Sequence, residues 1–344
     1  MKYTFLLVFI AFNTYSQGLQ LEHWLRYNDK DFKSGCKIIQ HLVDDTNFDG
    51  IAENILLTED TLNQDSEGSV VFYIIQLNNN GLYKKLFKNN MLAQCRSCGG
   101  GASSIGEIEI NEDKSISFTA HYGSRQKGEH HTTIYYNKEF QKWEVRSLGF
   151  YWYDGLDPDG ISPGANGSWN FESNYFKNPI FINESTGGTW EIIQQIRVNK
   201  YFKVISPKTY FKASDNINNS TNNYLIQGDF IECEYEIKDF CGCEFINKSR
   251  GTQGFLNKKD LIEVFVKKET TNFYLVTESK AEIYSSPSFN KKTTGYVIKG
   301  DELSCPYSYG GFLKCDFEKE DAKNSVIVRN AFFIHQKSVK PRKF

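Results

Sequence analysis

The sequence has almost no net charge, only two methionines, and no long apolar run after its first dozen residues. Its 344 residues carry 40 Lys and Arg against 42 Asp and Glu, which gives no electrostatic reason to expect nucleic acid or an anionic membrane surface as a partner. No later stretch reaches the roughly 20 apolar residues of a membrane-spanning helix. HExxH and Walker motifs are also absent. Whether the protein is an enzyme is left open, and a non-catalytic role is preferred.

The composition favours strands and turns over long helices. Asn, Tyr and Phe are plentiful, and aromatic residues at 15% with apolar residues at 40% are sufficient for hydrophobic cores. A β-hairpin is predicted over 69–87 around the turn NNNG. Further strands are predicted over 107–110, 115–122, 132–136 and 143–153. We therefore expect a mostly all-β fold that begins with an antiparallel β domain.

The first residues, MKYTFLLVFIAFNTYSQ, contain Lys2, an apolar run from Phe5 to Phe12, and a short polar end. This layout is typical of a secretory signal peptide, which we place at 1–16 with cleavage after Ser16. The alternative is a buried N-terminal strand. We expect a bacterial protein that is secreted or periplasmic, where disulfide bonds persist.

Two copies of one pattern occupy 201–262 and 273–334, offset by 72 positions without a gap. The residues that recur are Val204, Lys208, Tyr224, Ile226, Gly228, Asp229, Cys233, Tyr235, Phe240, Cys243 and Phe245, matched by Val276, Lys280, Tyr296, Ile298, Gly300, Asp301, Cys305, Tyr307, Phe312, Cys315 and Phe317. A self-match of this length predicts two small domains of one kind. We place them at 198–268 and 269–344, after a β-rich domain at 17–197.

The repeated cysteines predict two disulfide bonds. Cys233 and Cys243 are ten positions apart, as are Cys305 and Cys315, and a polar turn separates two strand-like runs in each copy. Opposed residues of antiparallel strands lie close enough for a bridge. Such a bridge is worth roughly 2–4 kcal/mol to a small domain. The sequence does not reveal the pairing of the other four cysteines, which are Cys36, Cys95, Cys98 and Cys241.

Cys95 and Cys98 form a CxxC motif. In a secreted chain its expected fate is disulfide pairing. The alternative is a zinc site completed by nearby histidines, for which the candidates are His121, His130 and His131.

An oxygen-rich loop runs from Asp45 to Glu53. Oxygen side chains stand at its positions 1, 3, 5 and 9, Gly50 stands at position 6, and position 7 can offer its carbonyl, as a loop around a hard cation requires. Position 12 is Leu56, where an EF-hand needs Glu, and the loop leads straight into a strand. It resembles the loop-then-strand calcium sites of integrin-alpha-type (FG-GAP) β repeats. The resemblance implies a structural calcium ion, with ligands from Asp45, Asn47, Asp49, the Ile51 carbonyl and Glu53. The alternative is an Asx-rich turn without an ion.

The repeated Gly-Asp turn, at 228–229 and 300–301, and the phrase GFLNKKDL at 254–261 resemble bacterial Src homology 3-type domains. The resemblance implies two small β-barrels that attach to cell-wall or other extracellular ligands. Neither repeat contains the Trp that usually lines a groove for Pro-rich peptides, so that ligand class is not expected. The preferred ligand-binding residues are Tyr210 and Tyr309, because Tyr235 and Tyr307 recur with the fold and are expected in the core.

The expected function is a non-catalytic binding or structural role. The tandem barrels would bind cell-envelope material, such as cell-wall glycan or peptidoglycan, or a protein partner. The alternative is a secreted hydrolase with the barrels as targeting modules, which needs convergence of residues such as Asp154, Asp157, Asp159, His121 and His130. A third reading, an inhibitor or immunity-type protein module, is not separated from the first by sequence.

Overall fold

The computed structural model describes residues 18–64, 69–90, 92, 106–123, 126–156, 166–183, 189–214, 216–247, 250–269, 273–285, 287, 292–321 and 326–342. The predicted signal peptide, the CxxC motif, Asp157 and Asp159 lie outside the described residues. The chain divides into two compact units. The first comprises Met1–Gly155 and Asn170–Gln195, and the second comprises Leu156–Trp169 and Ile196–Phe344.

The fold is mostly β, as the composition predicts. A helix α1 covers 18–28, and α2 covers Thr189–Ile196. The strands are β1 (Cys36–Asp44), β2 (Glu53–Asp60), β3 (Val70–Leu77), β4 (Tyr83–Asn89), β5 (Glu107–Ile110), β6 (Ile116–Tyr122), β7 (Gln126–Asn137), β8 (Lys142–Asp154), β9 (Asn166–Glu172), β10 (Arg197–Val204), β11 (Lys208–Lys212), β12 (Ser220–Ile226), β13 (Phe230–Glu236), β14 (Phe240–Asn247), β15 (Arg250–Asn257), β16 (Leu261–Val264), β17 (Lys267–Lys268), β18 (Phe273–Val276), β19 (Lys280–Tyr284), β20 (Lys292–Ile298), β21 (Glu302–Tyr309), β22 (Phe312–Asp321), β23 (Val326–His335) and β24 (Val339–Pro341). No helix in the described part of the chain is long and apolar enough to cross a membrane.

The first sheet has the order β1-β2-β3-β4, and each neighbouring pair is antiparallel. β2 and β3 are buried along almost their whole length, because both faces of the sheet are covered. On one face, Leu21 and Leu25 of α1 pack into a cluster with Leu56. On the other, Phe72 meets Phe118 of the next sheet, with ring centroids 4.7 Å apart. No helix is predicted here from the sequence, although the two leucines are spaced one helical turn apart.

The second sheet has the order β5-β6-β7-β8-β9 and contains the strands predicted over 107–153. Its centre is the long β7–β8 hairpin. Ile134, Val145 and Leu148 are buried on this hairpin. The side chain of Gln40 on β1 exchanges two hydrogen bonds with the backbone of Ile108 on β5, at 2.5 and 3.0 Å. These bonds fix the edge of the first sheet beside the edge of the second.

The two sequence repeats form two sheets with the same strand order. The first is β12-β11-β15-β14-β13-β10-β16, and the second is β20-β19-β23-β22-β21-β18-β24. The two predicted β-barrels are not closed among the described residues, since the end strands of each order do not pair with each other. Each repeat is therefore an open antiparallel sheet with β12 or β20 at one edge.

The recurring Gly-Asp turn has a structural explanation in both copies. Gly228 and Gly300 have φ of 90° and 97°, a conformation that favours glycine. The Asp229 carboxylate accepts a hydrogen bond from the Ile226 N–H at 2.8 Å, and the equivalent aspartate in the second copy accepts one from Ile298 at 2.9 Å. The turn thus occupies one N–H of each edge strand, a way to blunt an edge.

An aromatic cluster, here called the junction, joins the two repeats inside the second unit. It contains buried Tyr201 and Phe230 of the first copy with Tyr284, Phe312 and Phe333 of the second. The Phe230 and Phe333 rings are 5.3 Å apart in an edge-on contact. Aromatic pairs of this kind contribute about 0.5–1.5 kcal/mol beyond the area they bury. The junction therefore fixes the copies relative to each other.

Candidate functional sites

The loop of Asp45 to Glu53 leads into β2 and folds around its own acidic side chains. Phe48 and Gly50 have φ of 61° and 86°, so the backbone turns sharply where the sequence places glycine. Oxygens of Asp45 accept hydrogen bonds from the N–H groups of Asp49 and Gly50 at 3.1 and 3.0 Å. One carboxylate oxygen each of Asp45, Asp49 and Glu53 lies within 4.8 Å of the others. The spacing in the sequence is thus sufficient to bring three of the predicted ligands together.

Glu53 is the buried member of this cluster, with no solvent exposure. Its Oε2 accepts hydrogen bonds from the Thr46 N–H and hydroxyl at 2.7 and 2.8 Å, and from the Asn47 N–H at 3.3 Å. Burial raises the pKa of Glu53, and the charge of Asp49 adds to that rise, against the lowering by these hydrogen bonds. A buried carboxylate that lacks a cationic partner is costly.

Gln76 completes the cluster and was missed by the sequence analysis. It lies opposite Glu53 in the β2–β3 register and is buried. Its Nε2 donates to Asp49 Oδ2 at 2.7 Å and to Glu53 Oε1 at 3.2 Å. Although burial raises the pKa of Asp49, the hydrogen bonds from Gln76, Ile51 and Asn47 lower it overall. Oxygen and nitrogen of a Gln amide are interchangeable by rotation, so the same side chain can present its carbonyl oxygen to a cation.

The histidines considered for the hydrolase do not converge. On the β6–β7 pair, His121 is opposite Glu129, while His130 is opposite Ala120. Because neighbouring residues of a strand point to opposite faces, His121 and His130 lie on different sides of the sheet. His121 Nδ1 is 3.1 Å from the Glu129 carboxylate. The His130 ring packs edge-on against Phe150.

The two preferred tyrosines of the repeats have different surroundings. Tyr210 is 44% exposed on β11. Tyr309 is half-buried at the junction, with its ring 5.4 Å from that of Phe230. Tyr309, preferred from the sequence as a ligand-binding residue, is therefore partly covered by the other copy. Tyr235 is buried, as expected, and is covered by Trp169 at 5.1 Å.

Both predicted disulfide bonds are present. Cys233 and Cys243 are directly opposed on β13 and β14, with Cα atoms 3.9 Å apart. Cys305 and Cys315 are bridged with Cα atoms 4.0 Å apart. Of the other cysteines in the described part of the chain, Cys36 is a free thiol, and both Cys36 and Cys241 are buried.

Comparisons with known proteins identify no family. No protein-family model matches the sequence, and no curated protein matches it. Among solved structures, the chain is similar to NlpC2 from Trichomonas vaginalis, with 14% identity, a TM-score of 0.19, and coverage of 42% of this chain and 49% of that one. NlpC1 from the same organism has 14% identity, a TM-score of 0.18, and coverage of 42% and 47%. The chain thus spans about half the length of each. TM-scores this low do not establish a shared fold, so the function must be argued from the residues of this chain.

Proposed function

We propose that this chain is a non-catalytic, extracytoplasmic binding protein whose tandem repeats hold cell-envelope material or a protein partner. The observation that carries the proposal is the junction, where Phe230 of the first copy is buried against Phe333 of the second. Two copies of one domain held rigidly present equivalent surfaces at a fixed spacing. Such an arrangement lowers the entropy cost of engaging a ligand at two places.

A polar contact strengthens the same junction. The Lys314 ammonium group of the second copy pairs with Glu232 of the first and donates to the Tyr201 hydroxyl at 3.1 Å. It also lies 4.7 Å from the centre of the Tyr201 ring. A half-buried lysine with three contacts to two residues of the other copy resists sliding of one repeat over the other.

The disulfide bonds are compatible with a location outside the cytoplasm. We place the protein in the periplasm or the medium, in keeping with the N-terminal signal-type sequence. The Asp45–Glu53 loop is proposed as a structural calcium site, with Gln76 as an added ligand through its carbonyl oxygen. Its role would be to fix the start of β2 in the first unit.

The test is retention of the full mature chain on purified, insoluble bacterial cell envelope, measured by co-sedimentation. A soluble protein of similar size and net charge is the control. Saturable retention that a free excess of the same chain competes away is the expected result. Retention no greater than that of the control would contradict the envelope version of the proposal.

A further inference from the structure

The recurring residues of the two repeats fall into groups with different roles. Most have a folding role: Val204 and Val276 are buried, the cysteines form bridges, and the Gly-Asp pairs make turns. Three recurring pairs are exposed instead. They are Lys208 with Lys280, Tyr224 with Tyr296, and Ile226 with Ile298. Burial does not explain why both copies keep them.

These three positions lie together on the outer face of the edge hairpin in each copy, called here the hairpin face. In the first copy, Lys208 is opposite Ile226 in the β11–β12 register. Tyr224 and Ile226 are 50% and 44% exposed, while Leu225 between them is buried. In the second copy, Tyr296 and Ile298 are 52% and 51% exposed.

The lysine of each hairpin face is held beside an aromatic ring. Lys208 Nζ lies 3.6 Å from the centre of the Tyr224 ring and 4.6 Å from that of Tyr210. Lys280 Nζ lies 4.3 Å from the centre of the Tyr296 ring. Each copy therefore presents the same pair, an ammonium group fixed next to an exposed tyrosine.

The charge of this face is positive, although the chain as a whole is not. β11 and β12 contain two lysines and no acidic residue. In β19 and β20 the single carboxylate, Glu282, lies opposite Tyr296 and pairs with Lys292, and together with Lys280 the two strands keep one net positive charge. The complementary ligand carries negative charge next to a flat apolar surface. A sugar ring with a carboxylate fits both requirements, because its C–H face can cover a tyrosine while the carboxylate meets the ammonium group.

An extended peptide suits the site less well. A peptide that adds a strand to a sheet needs free N–H and C=O groups along the edge. In each edge strand the N–H of the exposed isoleucine is already bonded to the aspartate of the Gly-Asp turn. Side-chain contacts to the hairpin face then have to provide the recognition.

We infer that the hairpin faces of the two repeats bind a polysaccharide that contains uronic acids, with one acidic sugar engaging Lys208 and Tyr224 and another engaging Lys280 and Tyr296. This inference rests on the proposed binding function and gives it a ligand class. Two equivalent sites on a rigid support match a polymer in which the same acidic sugar recurs. The second contact is then intramolecular, and it raises the affinity for long chains over short ones.

The test measures binding of the full mature chain to alginate oligosaccharides of increasing length by titration calorimetry. Dextran serves as the neutral polymer, and polyphosphate as an anion without sugar rings. Affinity is expected to rise with alginate length and to fall with salt, and dextran should show no binding. Equal binding of polyphosphate, unchanged by replacement of the tyrosines, would overturn the sugar part of the inference.

Two double variants test the residues. Lys208→Gln with Lys280→Gln and Tyr224→Ala with Tyr296→Ala should each raise the dissociation constant for long alginate about tenfold or more, a change of one decade per 1.4 kcal/mol. Single-copy variants should remove the length dependence. Lys238→Gln and Ile262→Ala are matched controls, since both residues are exposed in the second unit away from the hairpin faces, and they should bind as wild type does.

The melting temperature of each double variant distinguishes a loss of binding from a loss of folding. If the double variants melt early and bind normally once folded, the recurring residues only stabilise the hairpins through cross-strand pairs, and the inference is overturned. If wild type is retained on cell envelope but ignores alginate, the ligand class is wrong while the proposed function stands. If wild type neither is retained on cell envelope nor binds alginate, both the proposed function and the ligand class are wrong.

Discussion

Calcium should stabilise the first unit through the Asp45–Glu53 loop, and the effect can be estimated. Without a cation, three carboxylates lie within 4.8 Å of one another, a separation at which two charges repel by about 1 kcal/mol in water and by more where they are partly buried. A bound ion replaces this repulsion with attraction. At a calcium concentration about 100 times the dissociation constant, the stabilisation is about 2.7 kcal/mol. For a unit of this size, that raises the melting temperature by roughly 5–10 °C.

The assay is calorimetric melting of the full chain in EDTA and in excess calcium, with Asp49→Asn as the test variant. Asp49 is exposed, and removing its charge relieves repulsion with Glu53. The variant should therefore melt at or above the wild-type temperature in EDTA, yet lose most of the shift in calcium. Asp239→Asn, an exposed aspartate in the second unit, should keep the full shift.

Two results would refute the reasoning. An identical wild-type melting temperature in EDTA and in calcium would mean that the loop holds no ion at these concentrations. A variant that melts earlier by the same amount in both buffers would show that Asp49 supports an Asx-rich turn through its hydrogen bonds alone. Gln76→Leu adds a check, since it removes the donor to both carboxylates and the proposed carbonyl ligand. It should lower the melting temperature in EDTA and also reduce the shift in calcium.

Three further predictions concern stability. Removing one bridge with Cys233→Ala and Cys243→Ala should cost about 3 kcal/mol, the value expected for a loop of this length, measured by urea unfolding under oxidising conditions; a loss below 1 kcal/mol would count against the estimate. Burial, followed by the charge of His131, lowers the pKa of His130 to about 4, below its unfolded value near 6.5. The stability that depends on a neutral His130 is therefore fully present above pH 6.5. It is lost as the pH falls towards 4, by up to about 3 kcal/mol. His130→Leu should flatten that part of the pH profile, and an unchanged slope would mean that another group is responsible. Phe230→Ala should lower the free energy of unfolding by about 3–5 kcal/mol, because it leaves a cavity in the junction, and the second unit should then melt in two steps. A single sharp transition would show that the repeats are coupled by other contacts.

Features carried by internal repetition or by short spacing were predictable from the sequence. The ten-residue cysteine spacing occurs twice, and a polar turn between strand-like runs leaves antiparallel pairing as the simplest geometry. The bridge at Cys233 and Cys243 joins directly opposed residues as a result. The acidic loop was predictable for the same reason, because Asp45, Asp49 and Glu53 are close in sequence and a tight turn brings them together.

Features that depend on distant contacts were not predictable in this way. Gln76 stands 23 positions from Glu53, and only the β2–β3 register places it opposite that carboxylate. One residue of slip in that register would turn its side chain to the other face. Helix α1 was missed because it is only 11 residues long and its stability comes from packing on the first sheet.

The surroundings of Tyr309 depend on a contact that the internal repeat does not describe. The self-match aligns it with Ile237, a buried residue of the first copy, so the comparison of copies describes packing within a domain. The contact of Tyr309 with Phe230 is between the copies, and the offset of 72 positions contains no information about it. The same reasoning supports the hairpin face: residues that recur while exposed cannot owe their recurrence to the core of either copy or to the asymmetric junction. Two explanations remain for their recurrence: cross-strand pairing within the hairpin, or contact with a ligand. The lysine and tyrosine double variants distinguish the two explanations, because loss of hairpin pairing lowers the melting temperature, whereas loss of a ligand site weakens binding.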